Sequence, residues 1–187
     1  MRNYLQTFNI LTENEIDNFE SKVKSKKLKK GDFFIKEGRI SNEVGFVVSG
    51  LFRSFYYSSL EEEVTYCFTF SNSFVSAYSS FLSQSKTIEN IQALTDIELL
   101  TISREKILNL ENSSTNWLKF FKIIAEHEYI KMEKRIFLLQ KESAEKRYND
   151  LLINQPEYLQ LIPLNFLSSY LGITQRHLSR IRKSLTN

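Results

Sequence analysis

The residues best suited to chemistry lie near the carboxyl end, in the segment LNFLSSYLGITQRHLSRIRK (residues 164–183). Five apolar residues fall where two short helices that cross at a tight turn would bury them. They are Leu167, Leu171, Ile173, Leu178 and Ile181. Gly172 marks the turn, and Thr174 is the expected N-cap of the second helix. This pattern is typical of a helix-turn-helix.

The second helix of this segment also carries side chains that can bind phosphates and base edges. The candidate DNA-binding residues are Thr174, Gln175, Arg176, Ser179, Arg180, Arg182 and Lys183. Residues 162–187 contain four Arg or Lys residues and no Asp or Glu, and an all-positive surface attracts a polyanion. Arg180 is the first candidate for a base contact, because a guanidinium can bond guanine O6 and N7 together. The alternative is an ordinary helical hairpin with a solvated basic face.

The composition limits the other classes of function. The net charge is only +3, so binding of nucleic acid must depend on local clustering of charge. Cys67 is the single cysteine, which excludes an intrachain disulfide and an iron–sulfur or zinc site made of cysteines from one chain. The sequence has no run of 18 apolar residues and no apolar signal core at its start, so we expect a cytoplasmic protein without membrane contact.

The elements that must position the basic helix change in character along the chain. Residues 1–25 are expected to be helical, with a capping box at Thr12 and Glu15. The lysine-rich run that follows, Lys22–Lys30, is interpreted as a solvated helix end that leads into a turn. Residues 31–102 then alternate short aromatic and β-branched runs with glycines, which indicates an antiparallel sandwich or barrel. The expected strands are Phe33–Ile35, Phe46–Val48, Leu51–Tyr57, Val64–Phe70, Ile88–Ala93 and Ile97–Ile102.

A stretch without glycine or proline, residues 116–155, predicts a long helix, a charged hinge at Lys141–Lys146 and a further helix that starts at Arg147–Leu152 and ends at Asn154-Gln-Pro156. Its apolar residues form two stripes, and a helix with two apolar sides needs two partners to bury them. One stripe is assigned to a dimer interface and consists of Leu118, Phe121, Ala125, Met132, Ile136 and Leu139. Glu128 and Arg135 are spaced so that they could pair across a two-fold axis. The alternative is a helix buried inside one larger domain.

In order along the chain, KKGDFFIKEG, GFVVSGLFRSFY, QALTDIELLTISREKIL and SYLGITQRHLSRIRK resemble segments of the CRP/FNR (catabolite-activator/fumarate-nitrate-regulator) family of bacterial transcription regulators. The resemblance covers essentially the whole chain and implies an α+β fold. An antiparallel β-roll of the cyclic-nucleotide-binding type, jelly-roll-like (a double-stranded β-helix), would span residues 1–115. A dimerisation helix would span residues 116–141, and a helix-turn-helix domain residues 142–187. Implied partners are double-stranded DNA, a second copy of the chain and RNA polymerase.

Two departures from the family bear on the ligand. Ser76 and Ala77 stand where nucleotide-binding members place Gly-Glu, and Thr87 and Ile88 stand where they place Arg-Ser, with Glu89 beside them. Isoleucine cannot bind a phosphate and glutamate repels it, so we expect no tight binding of cAMP or cGMP. The β domain would then bind nothing, or bind a more apolar effector in a pocket lined by Tyr66, Phe74, Tyr78, Phe81 and Lys86. Core packing is the alternative use of these rings.

The other expectations concern the wing and a rival class of protein. Only SLTN follows the second helix, so the β-hairpin wing of many family members is expected to be short or absent. The rival is a cupin-like enzyme or small-molecule-binding protein with a carboxyl-terminal interaction module. Cupin-type catalysis needs metal-binding histidines in the strands, whereas His127 and His177 lie outside them. We therefore expect no catalytic residue, no metal and no cofactor.

Overall fold

The computed structural model describes the backbone of residues 1–186 and the side chains of residues 1–184. The helices in this part of the chain are α1 (Arg2–Gln6), α2 (Glu13–Lys22), α3 (Tyr78–Ser83), α4 (Arg104–Ser113), α5 (Thr115–Lys141), α6 (Ala144–Asn154), α7 (Pro156–Leu161), α8 (Leu164–Tyr170) and α9 (Gln175–Thr186). The strands are β1 (Lys24–Leu28), β2 (Phe33–Ile35), β3 (Glu43–Ser49), β4 (Phe52–Tyr57), β5 (Glu63–Thr69), β6 (Ser73–Val75), β7 (Glu89–Ala93) and β8 (Ile97–Ser103). The expected mixture of helices and antiparallel sheet is confirmed.

The chain divides into two compact units. The first unit contains residues 1–57 and 67–125, and the second contains residues 58–66 and the chain from Glu126 onward. Strand β5 and helix α5 therefore each begin in one unit and end in the other.

The first unit is built around two four-stranded antiparallel sheets, in the orders β1-β8-β3-β6 and β2-β7-β4-β5. A core cluster takes side chains from strands of both sheets, including Phe34, Val47, Phe52, Ile91 and Leu99. Burying this apolar surface is the main favourable contribution to the fold. A second cluster joins the amino-terminal helices to α4 and the start of α5, with Phe19 stacked on Trp117 at 5.3 Å between ring centres.

The amino-terminal region confirms one prediction and corrects another. The Thr12 hydroxyl accepts from the Glu15 backbone while the Glu15 side chain accepts from the Thr12 backbone, so the predicted capping box is present. Lys22 does end α2, but most of the rest of the lysine run is not a turn, because Lys24–Leu28 is strand β1 and pairs with β8. β1 lies at the edge of its sheet, and lysine on an edge strand discourages pairing with other chains.

The second unit contains helices α6 to α9 and the carboxyl-terminal part of α5. Its buried apolar and aromatic side chains are Tyr148, Leu151, Tyr158, Ile162, Leu167, Leu171, Leu178 and Ile181. Helix α6 ends at Asn154, as predicted, whereas α7, a helix of six residues with Pro156 in its first turn, is not predicted from the sequence. Proline fits there because the first helical position needs no N–H donor.

Candidate nucleic-acid interface

The α8–α9 pair meets at a turn whose conformation is set by glycine. Gly172 has a φ of +67°, in the left-handed region that glycine adopts most readily. Backbone bonds close the end of α8, from Gly172 N–H to Ser169 O and from Ile173 N–H to Ser168 O, both at 3.0 Å. Thr174 Oγ1 then accepts from His177 N–H at 3.2 Å, which is the N-cap bond that the sequence predicts.

Helix α9 has one buried side and one exposed basic side. Leu178 and Ile181 are buried, whereas the seven candidate DNA-binding residues are exposed. At about 100° per residue, Arg176 and Lys183 point almost directly away from the buried side, and Arg180 lies close to them. Arg182 lies nearer the edge of the packed surface. In the described chain, neither Arg176 nor Arg180 forms an ion pair.

Two arginines that sequence reasoning did not assign to this site hold the end of α8. Arg135 donates to the Tyr170 carbonyl at 2.7 Å, and its guanidinium lies 3.6 Å from the centre of the Tyr170 ring. Arg147 donates to the Leu171 carbonyl at 3.0 Å and to the Glu142 carbonyl at 2.6 Å. The last carbonyls of a helix have no partner within it, so these charge-assisted bonds fix the position where α8 ends.

The pairing of Glu128 with Arg135 across a two-fold axis stays a prediction, and within one chain each residue has another partner. Glu128 pairs with Lys131 at 2.6 Å on its own helix, and Arg135 is used within its own chain at Tyr170. No sequence signal links Arg135 to Tyr170, because the two are 35 residues apart and belong to different helices.

Residues 58–66, which include the β4–β5 connection and the start of β5, also belong to the second unit. Thr65 N–H donates to Ser169 Oγ at 2.9 Å, and the Ser169 hydroxyl is 3.2 Å from the Glu63 carbonyl. One serine on α8 thus satisfies two backbone groups of β5. The sequence analysis did not single out Ser169.

Helix α5 presents the predicted dimer stripe with much of its apolar surface exposed. Leu118, Met132 and Ile136 are 51%, 62% and 49% exposed. Phe121, Ala125 and Leu139 are partly buried, and Phe121 stacks on Trp117 at 5.5 Å. Exposed apolar side chains that share one side of a helix are candidates for an interaction site.

The five residues expected to line an effector pocket have different surroundings. Phe81 is buried in the helical core cluster of the first unit, and Phe74 packs against that cluster, 5.6 Å from the Tyr4 ring. Tyr78 stacks on Phe81, and burial, helped by the nearby Glu111 carboxylate, raises its pKa. Lys86 is exposed. Tyr66 belongs to the second unit, so the first unit alone does not assemble the set.

The described residues contain neither a metal-site cluster nor a membrane span. No three His, Cys, Asp or Glu side chains among them come together as a metal site requires. None of the helices described is both long enough and apolar enough to cross a bilayer.

Comparisons with known proteins bear on the fold of both units. Residues 25–114 match the family described as the cyclic nucleotide-binding domain. FixK2 from Bradyrhizobium japonicum is similar over 88% of this chain and 84% of its own, with 17% sequence identity and a TM-score of 0.77. The regulator CLP of Xanthomonas campestris, described as c-di-GMP responsive, is similar over 94% of this chain and 92% of its own, with 16% identity and a TM-score of 0.74.

A third structure of this kind is the catabolite activator protein of Thermus thermophilus. It is similar over 94% of this chain and 84% of its own, with 20% identity and a TM-score of 0.61. A search of curated proteins found no match. At these identities the similarity establishes the fold, and the function must be argued from the site.

Proposed function

We propose, from the premise that this chain has the fold of the CRP/FNR regulators, that it is a homodimeric transcription regulator that binds specific DNA sequences. The α8–α9 pair is the helix-turn-helix in this proposal, and α9 enters the major groove. RNA polymerase and a second copy of the chain are the proposed partners. Because chromosomal DNA is its target, we expect the protein to act in the cytoplasm.

The observation that carries the proposal is the one-sided charge of α9. Arg176, Arg180 and Lys183 face away from the packed side, and residues 162–187 contain no acidic residue. Arg180 is proposed to contact a base, with Gln175 and Arg176 near the start of the helix as further base contacts. Arg182 and Lys183 are proposed to bind phosphates, which position the protein without reading sequence.

The exposed stripe on α5 supports a dimer. Two chains that pair along α5 would present two α9 helices to one face of the duplex. In such dimers the half-sites are about 34–36 Å apart, one turn of the double helix. An operator for this protein is therefore expected to be a palindrome with that spacing.

The effector of the proposed regulator is something other than cAMP or cGMP, or there is none. Thr87, which stands where the family places its phosphate-binding arginine, is buried, and its hydroxyl accepts from Glu89 N–H at 3.1 Å. Ile88 beside it is exposed and cannot bind an anion. Calorimetric titration with cAMP tests this point, because submicromolar affinity would contradict it.

Selection of bound duplexes from a random library tests the proposal as a whole. The purified full-length chain is expected to enrich one palindromic sequence and to bind it at least about a thousandfold more tightly than a scrambled duplex. Raising the salt concentration should weaken binding steeply, because phosphate contacts release counterions. Absence of any enriched sequence, or a binding species that is monomeric, would contradict the proposal.

A matched pair of variants separates the basic face from general charge. Arg176→Gln combined with Arg180→Gln should abolish the preference for the selected duplex. Lys30→Gln, an exposed lysine far along the chain from α9, should leave it unchanged. If both variants lost the preference for the selected duplex equally, binding would depend on the net charge of the protein and not on the basic face of α9.

A further inference from the structure

A cleft of about 530 Å³ opens in the first unit beside the end of strand β2. Its lining comes from β2, from the loop of residues 36–42, and from the ends of β3 and β8 that adjoin this loop. The lining includes apolar side chains, among them Phe33, Phe34 and Ile40. Small-molecule sites in proteins have volumes of roughly 300–1,000 Å³, so the size fits a ligand of modest mass.

The charge of the cleft is positive. Lys36 and Arg39 line it, and neither has an ion-pair partner within the described chain. Lys36 Nζ lies 4.5 Å from the centre of the Phe33 ring, which holds the cation over an apolar surface. Glu43 supplies the carboxylate of the described lining, and it is already bonded to Lys26 Nζ at 2.5 Å.

The amino-terminal end of α4 adds to this positive potential. Ser103, the N-cap of this ten-residue helix, also lines the cleft. Backbone N–H groups at a helix start carry partial positive charge, which favours an anion nearby. The two side-chain cations and the helix start thus favour the same kind of ligand.

The loop that carries the cations is held at several points before any ligand binds. Gly38 N–H donates to Thr87 O, and Thr87 N–H donates to Arg39 O, both at 2.8 Å. At the other end of the loop, Ser41 N–H donates to Ser80 Oγ at 3.0 Å, and Arg104 N–H donates to Asn42 O at 2.8 Å. A loop that is already ordered loses little conformational entropy when a ligand binds, so a small ligand can bind with measurable affinity.

We propose that this cleft binds an amphipathic anion, a small molecule that joins a phosphate or carboxylate to an aromatic or aliphatic body. Lys36 and Arg39 bind the anionic group, and the apolar body lies against Phe33, Phe34 and Ile40. Ser76, Ala77, Thr87 and Ile88, which stand where the family places its nucleotide contacts, do not line the cleft, although Thr87 bonds to its loop. The proposal does not depend on DNA binding.

Phenyl phosphate is a suitable probe, because it combines the two features in one molecule. Titration into the ¹⁵N-labelled full-length chain, followed by amide NMR shifts, should give saturable changes centred on residues 33–43. Inorganic phosphate and phenol, which each carry one feature, should bind at least about tenfold more weakly. Absence of saturable shifts in residues 33–43, or equal affinity for inorganic phosphate, would overturn the proposal.

Variants locate the anion. Lys36→Gln and Arg39→Gln should each weaken phenyl phosphate binding about tenfold, the usual loss of a charge-assisted contact. Both side chains are exposed, so the variants should fold, and unchanged thermal unfolding checks this. Lys30→Gln removes the same charge outside the cleft and should bind the probe normally. If all three variants behave alike, the cleft is not the site.

Discussion

Glu15 shows how one residue can connect distant parts of the chain. Its carboxylate accepts from the Thr12 backbone at 2.8 Å, from Asn116 Nδ2 at 3.1 Å and from the Ser114 hydroxyl. Partial burial on its own would raise the pKa of this carboxyl. The hydrogen bonds, led by the one from Ser114, outweigh burial and lower the pKa from 4.5 to about 2.

The depressed pKa predicts a specific dependence of stability on pH. Because the folded pKa lies below the unfolded one, the contribution of Glu15 is complete above about pH 5 and is lost as the pH falls toward 2. Glu15→Gln should lower the free energy of unfolding by about 1–3 kcal/mol at pH 7. The difference from the natural chain should shrink in acid.

Denaturant unfolding measured at several pH values checks this prediction. Glu37→Gln is the matched control, because Glu37 is exposed in the same unit. A loss of stability in Glu15→Gln that stays the same at pH 3 and pH 7 would contradict the assigned pKa.

Arg180 is the residue on which sequence preference is expected to depend. Arg180→Ala should weaken binding to the selected duplex by about 1–3 kcal/mol and relax the preference at one base-pair position. Lys183→Ala, at a proposed phosphate contact, should instead weaken all duplexes alike and reduce the salt slope by about 1. Fluorescence anisotropy at several salt concentrations distinguishes the two. Unchanged binding of the selected duplex by Arg180→Ala would remove Arg180 from the interface.

At the scale of elements, the α8–α9 turn favours glycine at position 172 because of its backbone conformation and not because a side chain would lack room. A Cβ on Gly172 would lie 3.5 Å from Leu139 Cδ2, an ordinary contact, so the positive φ is what disfavours other residues. Gly172→Ala should therefore cost about 1–2 kcal/mol of stability. Gly172→Asn should cost less, because asparagine tolerates this region better. Thermal unfolding of both variants measures the difference, and equal losses would point to crowding instead.

Elements with local signals could be predicted from sequence, and elements without them could not. The capping box at Thr12 and the turn at Gly172 each depend on residues that lie within a few positions of one another in the sequence, and both are present. Strand β1 was missed because its lysines give no apolar alternation, and its position is set by pairing with β8, about 70 residues away. The basic face of α9 could also be predicted, because its residues are close together in the sequence. The contacts of Arg135 and Arg147 could not, because each joins residues far apart in the sequence.

At the scale of the whole molecule, the resemblance to CRP/FNR regulators is confirmed in the fold, although identity to the three solved structures compared above is only 16–20%. Such folds persist because many different apolar residues can fill the same core positions. Surface residues determine which ligand and which DNA sequence are bound, and the need to fill a core does not restrict their type. The fold therefore could be predicted from the order of motifs, while the effector could not.

The proposed dimer gives a prediction for the whole molecule. At about 100° per residue, the six residues of the α5 stripe fall within an arc of about 60°. Ile136→Glu places a charge within this apolar stripe and should convert a dimer into monomers. Lys134→Glu places the same acid on the opposite side of α5 and should leave the dimer intact. Analytical ultracentrifugation distinguishes the outcomes, and a dimer that survives Ile136→Glu would place the interface elsewhere.

Arg135 and Arg147, which donate to the carbonyls at the end of α8, restrict how this protein can be recombined with its relatives. Arg135 lies on α5, before the segment 142–187 that would be exchanged to give the chain a new operator. A hybrid joined at residue 142 would keep Arg135 but could lose the tyrosine on which its guanidinium lies. Hybrids joined before Arg135, which transfer both arginines with their carbonyl partners, should give regulators with exchanged specificity far more often.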